Sequence, residues 1–213
     1  MIANEHEARQ WIAAQDTFAP GTRDSLEGFA AILRLENDRQ NLVSARTLDE
    51  VWVRHFVDSL QLLRGVPRET PTWLDLGTGA GFPGLAIAIA RPDIAVSCVE
   101  SRGLRTEYLE RVVDQLGLEN CRIVHNRLQD VETGEYGVIS ARAFAPLPKL
   151  LDLSTRFSTQ DTEWRLPKGR SAAQELNELR GWEHMFHVEQ SLTDSDAGII
   201  CGRLIGRKKG RRS

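Results

Sequence analysis

The sequence predicts an α/β fold in a single domain, a mostly parallel sheet with helices on both faces and a helical extension ahead of it. Three observations carry this reading. Past Pro67, short apolar runs alternate with segments of helical periodicity. The first of those runs empties into a stretch with glycine at 77, 79, 81 and 84. Before residue 66, apolar residues recur only at helical spacing. The 213 residues fit one such domain, since domains run to about 250 residues.

Each element follows from local pattern. Residues 5–15 and 22–39 read as helices, with Pro20-Gly21 as the break between them. Thr47 and Glu50 match a capping box opening a third helix, whose apolar side is Val51, Phe56, Val57, Leu60 and Leu63. Strand 73–76 precedes the glycines, and a helix over 84–90 follows them. A second strand covers 94–99, and Ser101 caps a helix reaching 116. Residues 121–124 and 137–139 are the third and fourth strands, 147–157 is helical, and 163–166 is a strand ahead of Lys168-Gly169. A helix over 172–180 leads to final strands at 183–189 and 198–205. Their link is too short for a parallel crossover, which needs about a dozen residues, so they pair antiparallel. The expected organisation is an extension at 1–66 packed on the same domain, a core at 67–206 and a basic tail at 207–213.

Composition excludes several classes. No run of about 18 apolar residues is present, so no membrane span is expected. Residues 1–9 lack the apolar stretch of a leader peptide. Cys98, Cys121 and Cys201 show no metal-ligand spacing and read as free thiols, so a cytoplasmic protein without a metal is expected. A net charge of −3 argues against a protein coated in nucleic acid. The tail, with five cations between Arg207 and Arg212, is either a phosphate contact or a solvated terminus.

The glycine turn is the sharpest signal. Glycines at the end of a first strand let the backbone approach a ligand and turn into a helix, as in Rossmann-like nucleotide sites. Gly79-x-Gly81-x-x-Gly84 also satisfies the bare dinucleotide pattern, and Glu100 ends the second strand where an acid accepts from ribose hydroxyls. Two details favour S-adenosylmethionine over a dinucleotide. Asp75 places a carboxylate by the turn, which suits an amino group and a sulfonium but repels pyrophosphate. Pro83 removes a backbone N–H that a pyrophosphate would use.

Taken together, Asn41-Leu42-Val43, Arg54-His55-x-x-Asp58-Ser59, Asp75 to Gly84, Arg91-Pro92, Glu100-Ser101, His125-Asn126-Arg127, Ser140-Ala141-Arg142-Ala143 and Lys168-Gly169 form an ordered set over residues 40–170. That set resembles the bacterial small-subunit rRNA guanine-N7 methyltransferases (RsmG, also called GidB). The resemblance implies a class I methyltransferase fold with S-adenosylmethionine as methyl donor. It implies methylation at N7 of one guanine in the 530-loop region of 16S rRNA, conventionally numbered 527. It further implies that Gly77, Gly79 and Phe82 line the donor, that Leu128 and Gln129 flank its adenine, and that Arg142 sits at the mouth of the donor site. Two departures stand out: Gln129 where the family commonly shows an acid, and Arg102 and Arg105 where it commonly shows lysines.

The chemistry asks little of acids and bases. N7 of guanine carries a lone pair and no proton, so rate comes from alignment rather than from a general base. Arg142, Lys168 and His55 are the candidate substrate-positioning residues. Arg142 grips phosphate or the donor carboxylate, or else is a surface ion pair. His55, Asp58 and Ser59 share a helix face and form either a wall of the site or a structural cluster. Lys168 follows a strand's carboxyl end, where substrate-facing residues gather. The expected partner is 16S rRNA, free, in an assembly intermediate or in the small subunit, met by a monomer. Two other classes remain open on residues alone: a nicotinamide-dependent oxidoreductase, and a non-catalytic RNA- or ribosome-binding module.

Overall fold

A computed structural model describes residues 1–208. It opens with α1 (Glu5–Ala13), α2 (Thr22–Gln40) and α3 (Ala45–Asp49). Asn4 caps α1, its side chain accepting from the Glu7 N–H. In α2 the residues Leu26, Phe29, Ala30 and Leu33 are fully buried, the stripe that their spacing writes. Each of the three larger side chains contributes about 1.5–3 kcal/mol by leaving water.

The third helix departs from its expected form. Its cap is Ser44, whose hydroxyl accepts from the Thr47 N–H at 3.3 Å, and α3 ends at Asp49. A second helical stretch then runs through a π turn (Trp52–Val57), α4 (Asp58–Leu60) and a 3-10 turn (Gln61–Leu63). Its first free N–H groups, on Trp52 and Val53, donate to the Glu5 carboxylate at 3.2 and 3.0 Å. That cap comes from α1, so no local motif announces it.

The sheet holds β1 (Thr72–Leu76), β2 (Ala95–Glu100), β3 (Cys121–His125), β4 (Val138–Ser140), β5 (Glu163–Gly169), β6 (Trp182–His184), β7 (His187–Gln190) and β8 (Gly198–Arg207). Between them lie α5 (Gly84–Ala90), α6 (Gly103–Leu116), α7 (Leu147–Ser154) and α8 (Ala172–Glu178). The strand order is β3-β2-β1-β4-β5-β8-β6, with β7 also on β8. The first five strands run parallel, and β8 is antiparallel to β5, β6 and β7. The single strand expected over 183–189 is therefore two short ones. Gly202, at φ +124°, lets β8 pass so close to Met185 that a Cβ there would meet its carbonyl oxygen at 2.4 Å.

Side chains alternate across this sheet. Trp73 joins a core with Phe29, Phe56, Leu85 and Tyr108 on one face. Leu74 and Leu76 join Leu147, Leu150 and Trp164 on the other. The N-terminal helices share the first core with the sheet rather than keeping one of their own. Cys98, Cys121 and Cys201 are buried and unpaired. Among the described residues no helix is long and apolar enough to cross a membrane.

β1 lies between β2 and β4, so the chain runs outward to β3 and then returns to the other side of β1. Ligands of open α/β sheets bind at that switch, outside the carboxyl ends of the strands.

Candidate functional site

At the switch the chain leaves β1 through Gly77, Gly79 and Gly81, all at left-handed φ of +67°, +61° and +96°. The Thr78 N–H donates to Val99 O at 3.0 Å and the Gly79 N–H to Glu100 Oε2 at 3.2 Å, which ties the turn to β2. At Gly84 a Cβ would meet Cys98 Sγ at 2.3 Å, so this glycine seats α5 against the sheet. Gly79 is different: the nearest atom to a Cβ there is 3.7 Å away, on Arg105. Over Gly77 lies Phe144 from the β4–α7 loop, 2.6 Å from where a Cβ would stand.

The two carboxylates of the region divide their work in a way the sequence pattern misassigns. Asp75 was expected inside the site, yet it has no solvent exposure. Its Oδ1 accepts from the Ser140 hydroxyl at 2.8 Å and its Oδ2 from the Gly84 N–H at 3.0 Å. Burial raises its pKa, opposed by those bonds. Asp75 is thus a clasp joining β1, β4 and α5, with both oxygens engaged and neither open to the site. Pro83 stands just before α5 and brings no N–H to that helix start.

Glu100 is the acid that reaches the turn. Its Oε1 accepts from the N–H groups of Ser101 and Arg102 at 2.7 and 2.9 Å, and Arg105 approaches its Oε2 at 3.7 Å. These contacts replace the expected Ser101 cap, and α6 begins at Gly103 without a side-chain cap. Oε1 is doubly engaged, while Oε2 accepts one N–H, from Gly79, and keeps capacity for a ribose hydroxyl. Leu128 and Gln129 lie on the 3-10 turn after β3, and the preceding Asn126 N–H donates to Glu100 O at 3.1 Å. Leu128 is buried and Gln129 exposed.

Arg142 follows β4 and meets three groups at once. Its Nη1 donates to His55 Nδ1 at 3.2 Å and stands 3.8 Å from Asp58 Oδ2, and its guanidinium lies 5.1 Å from the centre of the Phe82 ring. The Arg142 fork has only donors, so His55 Nδ1 accepts and the imidazole carries its proton on Nε2. Burial, then the charges of Arg142 and Arg54, push the His55 pKa down to about 3. The imidazole also stacks on Phe82 at 4.8 Å. Phe82 is therefore a core residue, packed against Phe29, Phe56 and His55 and almost fully buried. Its ring is taken up by this packing, and its backbone belongs to the turn. Ser59 donates to His55 O within the same helical stretch. His55 and Asp58 are thus the mount of Arg142, which unites the two alternatives left open for that helix face.

Beside Arg142 opens a cavity of about 420 Å³, bounded by the carboxyl ends of β4 and β5, the Arg54–Asp58 stretch and the β7–β8 loop. Lys168 lies in its wall but is not free: its Nζ donates to Ala145 O at 2.6 Å and to Glu175 at 3.0 Å. It braces the β4–α7 loop, so the expectation of a substrate-facing lysine gives way to a structural one. Of the basic tail, Arg207 belongs to β8, stacks on Trp182 and pairs with Asp152. Positions 209–213 of that tail lie outside the described residues. Among the described residues no cluster of three metal-ligating side chains occurs.

Residues 22–197 match the GidB family, described as rRNA small subunit methyltransferase G. The chain belongs to this family. It is 54% identical over 212 residues to Ribosomal RNA small subunit methyltransferase G of Novosphingobium aromaticivorans, spanning 98% of this chain and 92% of that one. The like-named protein of Erythrobacter litoralis is 56% identical over 210 residues, spanning 98% and 100%. Among solved structures, a putative O-methyltransferase from Klebsiella pneumoniae is similar with a TM-score of 0.58 at 12% identity, over 92% of this chain and 95% of that one. A SAM-dependent methyltransferase from Aquifex aeolicus has a TM-score of 0.57 at 14% identity, over 83% and 98%. At those identities the likeness shows the fold alone, that of class I methyltransferases.

The site fits the family's methyl donor. The open glycine at 79 and the acceptor capacity on Glu100 Oε2 suit a nucleoside with ribose hydroxyls. Within GidB, sequence reasoning singled out Arg142, Gly77, Gly79 and Glu100, and the structure brings them to one end of the sheet. Sequence reasoning gives no role to Phe144 or to the β7–β8 loop, and it reads Arg54 only as part of the resembling motif. No spacing rule links residue 194 to residue 54, and only the antiparallel return of β8 puts them together.

Proposed function

We propose that this chain methylates N7 of one guanine in 16S rRNA, that of the 530-loop region, with S-adenosylmethionine as donor. S-adenosylmethionine supplies a methyl group on a positively charged sulfur, ready for transfer to a nucleophile. The observation that carries the reading is the junction at Arg142, where one side chain touches the residue of the donor turn and lines the adjoining polar cavity.

The residues perform binding and alignment. Gly77, Gly79 and Glu100 hold the nucleoside end of the donor, with Leu128 and Gln129 beside its base. Arg142, oriented by His55 and Asp58, grips a substrate phosphate or the donor's carboxylate next to the turn. N7 needs no proton removed, so a neutral, buried His55 is no obstacle; it acts as a fixed acceptor for Arg142 and adds no cation near a ring that becomes positive. A dinucleotide-dependent oxidoreductase has no support from the family, and a non-catalytic module is separated from an enzyme by turnover.

The organisation that goes with this function is an extension over 1–66 packed on a donor-binding core over 67–206, with the remaining residues as a basic tail. The protein works as a monomer in the cytoplasm on the small subunit or its precursor. The test is transfer of tritiated methyl to 16S rRNA, free and in small subunits, from cells lacking the modification, with mapping of the labelled base. Label at a base other than guanine, or none on any arm, refutes the assignment.

A further inference from the structure

The cavity beside Arg142 has a charge pattern that fits a nucleobase better than a phosphate. Its charged lining is balanced, with Arg54, Arg142 and Lys168 against Asp58, Glu175 and Asp194. A phosphate seat gathers donors and cations and avoids carboxylates. Three carboxylates in the wall instead suit a neutral ligand with N–H donors of its own. The volume, about 420 Å³, falls in the range of pockets that enclose small ligands.

Most of these charges are already used. Lys168 and Glu175 are paired at 3.0 Å. Asp58 Oδ1 accepts from the Thr193 hydroxyl at 2.9 Å and from the Gln61 amide at 3.0 Å. Asp194 differs. Its Oδ1 accepts from the Asp196 N–H at 2.9 Å, but among the described residues Oδ2 has only Arg54 Nη1 near it, at 4.0 Å, with both side chains about one-third exposed. The loop that carries Asp194 is nevertheless held firmly. The Gln190 amide donates to the carbonyls of Asp194, Ser195 and Ala197, and the Leu192 N–H donates to Gln61 Oε1 at 2.7 Å. A carboxylate with spare acceptor capacity is thus presented at a fixed place in the cavity wall.

We infer that this cavity receives the target guanine and that Asp194 reads its Watson–Crick edge. The inference rests on the guanine-methylation reading above and names the residue that makes the choice of base. Guanine offers two adjacent donors there, N1–H and the N2 amino group, whereas adenine presents an acceptor at N1. A carboxylate accepts both guanine donors and is repelled by the adenine lone pair. Gripping that edge leaves N7, on the other side of the purine, free to face the donor turn. Methylation at N7 makes the purine cationic and its N1–H more acidic, so the bond to Asp194 tightens as the charge develops.

Inosine, which lacks only the N2 amino group, supplies the test. Small subunits are reconstituted with 16S rRNA carrying guanine or inosine at the methylated position, and kcat/KM is measured for the native protein, Asp194→Ala and Asp194→Asn. In the native protein inosine should lower kcat/KM about tenfold, the range expected when one base-edge bond is lost. Asp194→Ala should lose about 30-fold or more on guanine and treat guanine and inosine alike within about twofold. Calorimetric affinity for S-adenosylhomocysteine should stay within about twofold of native in both variants. An inosine penalty that survives in both variants overturns the role of Asp194. So does a loss of donor affinity that accompanies the loss of activity in both, since the loop would then be structural. A native protein that methylates neither substrate defeats the guanine-methylation reading itself, a result distinct from either of these.

Discussion

Replacing His55 by glutamine should remove an acid-labile part of the protein's stability. His55 is almost fully buried, with its pKa held down to about 3 by burial and by the charges of Arg142 and Arg54. In the unfolded chain the same imidazole titrates near the ordinary histidine value of about 6.5. Between those values the unfolded state binds a proton that the folded state does not, so stability falls as pH falls through this window. At pH 7 the group costs little. At pH 5 the unfolded imidazole is protonated about 30 times over, which amounts to a loss of about 2 kcal/mol between the two pH values. Glutamine presents an amide oxygen in place of Nδ1 and does not titrate. The assay is urea unfolding at pH 7 and pH 5, with free energies extrapolated to water for the native protein and His55→Gln. The native protein should lose about 2 kcal/mol more than the variant across this interval. Equal losses would refute the placement of a neutral imidazole under Arg142. Asp75 cannot mimic the effect, because its raised pKa favours the folded state at low pH, the opposite sign.

Gly77→Ala should abolish donor binding while secondary structure by circular dichroism is kept, since φ is +67° there and a Cβ would strike Phe144 at 2.6 Å. Adding Phe144→Ala should relieve the clash but not the backbone strain, so calorimetric donor affinity should recover only in part. Glu100→Gln should weaken the donor by about 1–3 kcal/mol in calorimetry and lower stability, because its NH2 must face either the N–H groups of Ser101 and Arg102 or that of Gly79. Unchanged donor affinity would remove Glu100 from the site. Lys168→Met should lower the thermal midpoint by releasing Glu175 and the Ala145 carbonyl. It should leave the salt dependence of RNA affinity as it was; a flatter slope would return Lys168 to the RNA-contacting set.

The sequence by itself determined the order of strands and helices, the glycine turn, the acid at the end of β2 and the antiparallel return of the last strands. Those features are local: periodicity of burial, φ demands at glycine and the length of a link act within a dozen residues. Tertiary structure decided what each polar group does. Asp75 precedes the first turn glycine by two residues, but strand alternation turns its carboxylate to Ser140 and Gly84 instead of the ligand. Thr47 and Glu50 match a capping box, yet Ser44 caps α3 and Glu5 of α1 caps the stretch after it. Lys168 stands where substrate-facing residues gather and is taken by Glu175 from the next helix. Arg142 acquires its orientation from His55 and Asp58, over 80 residues earlier. A buried or half-buried charge goes to whichever partner packing brings within about 4 Å. Sequence spacing fixes that partner only when both residues lie on the same helix or turn.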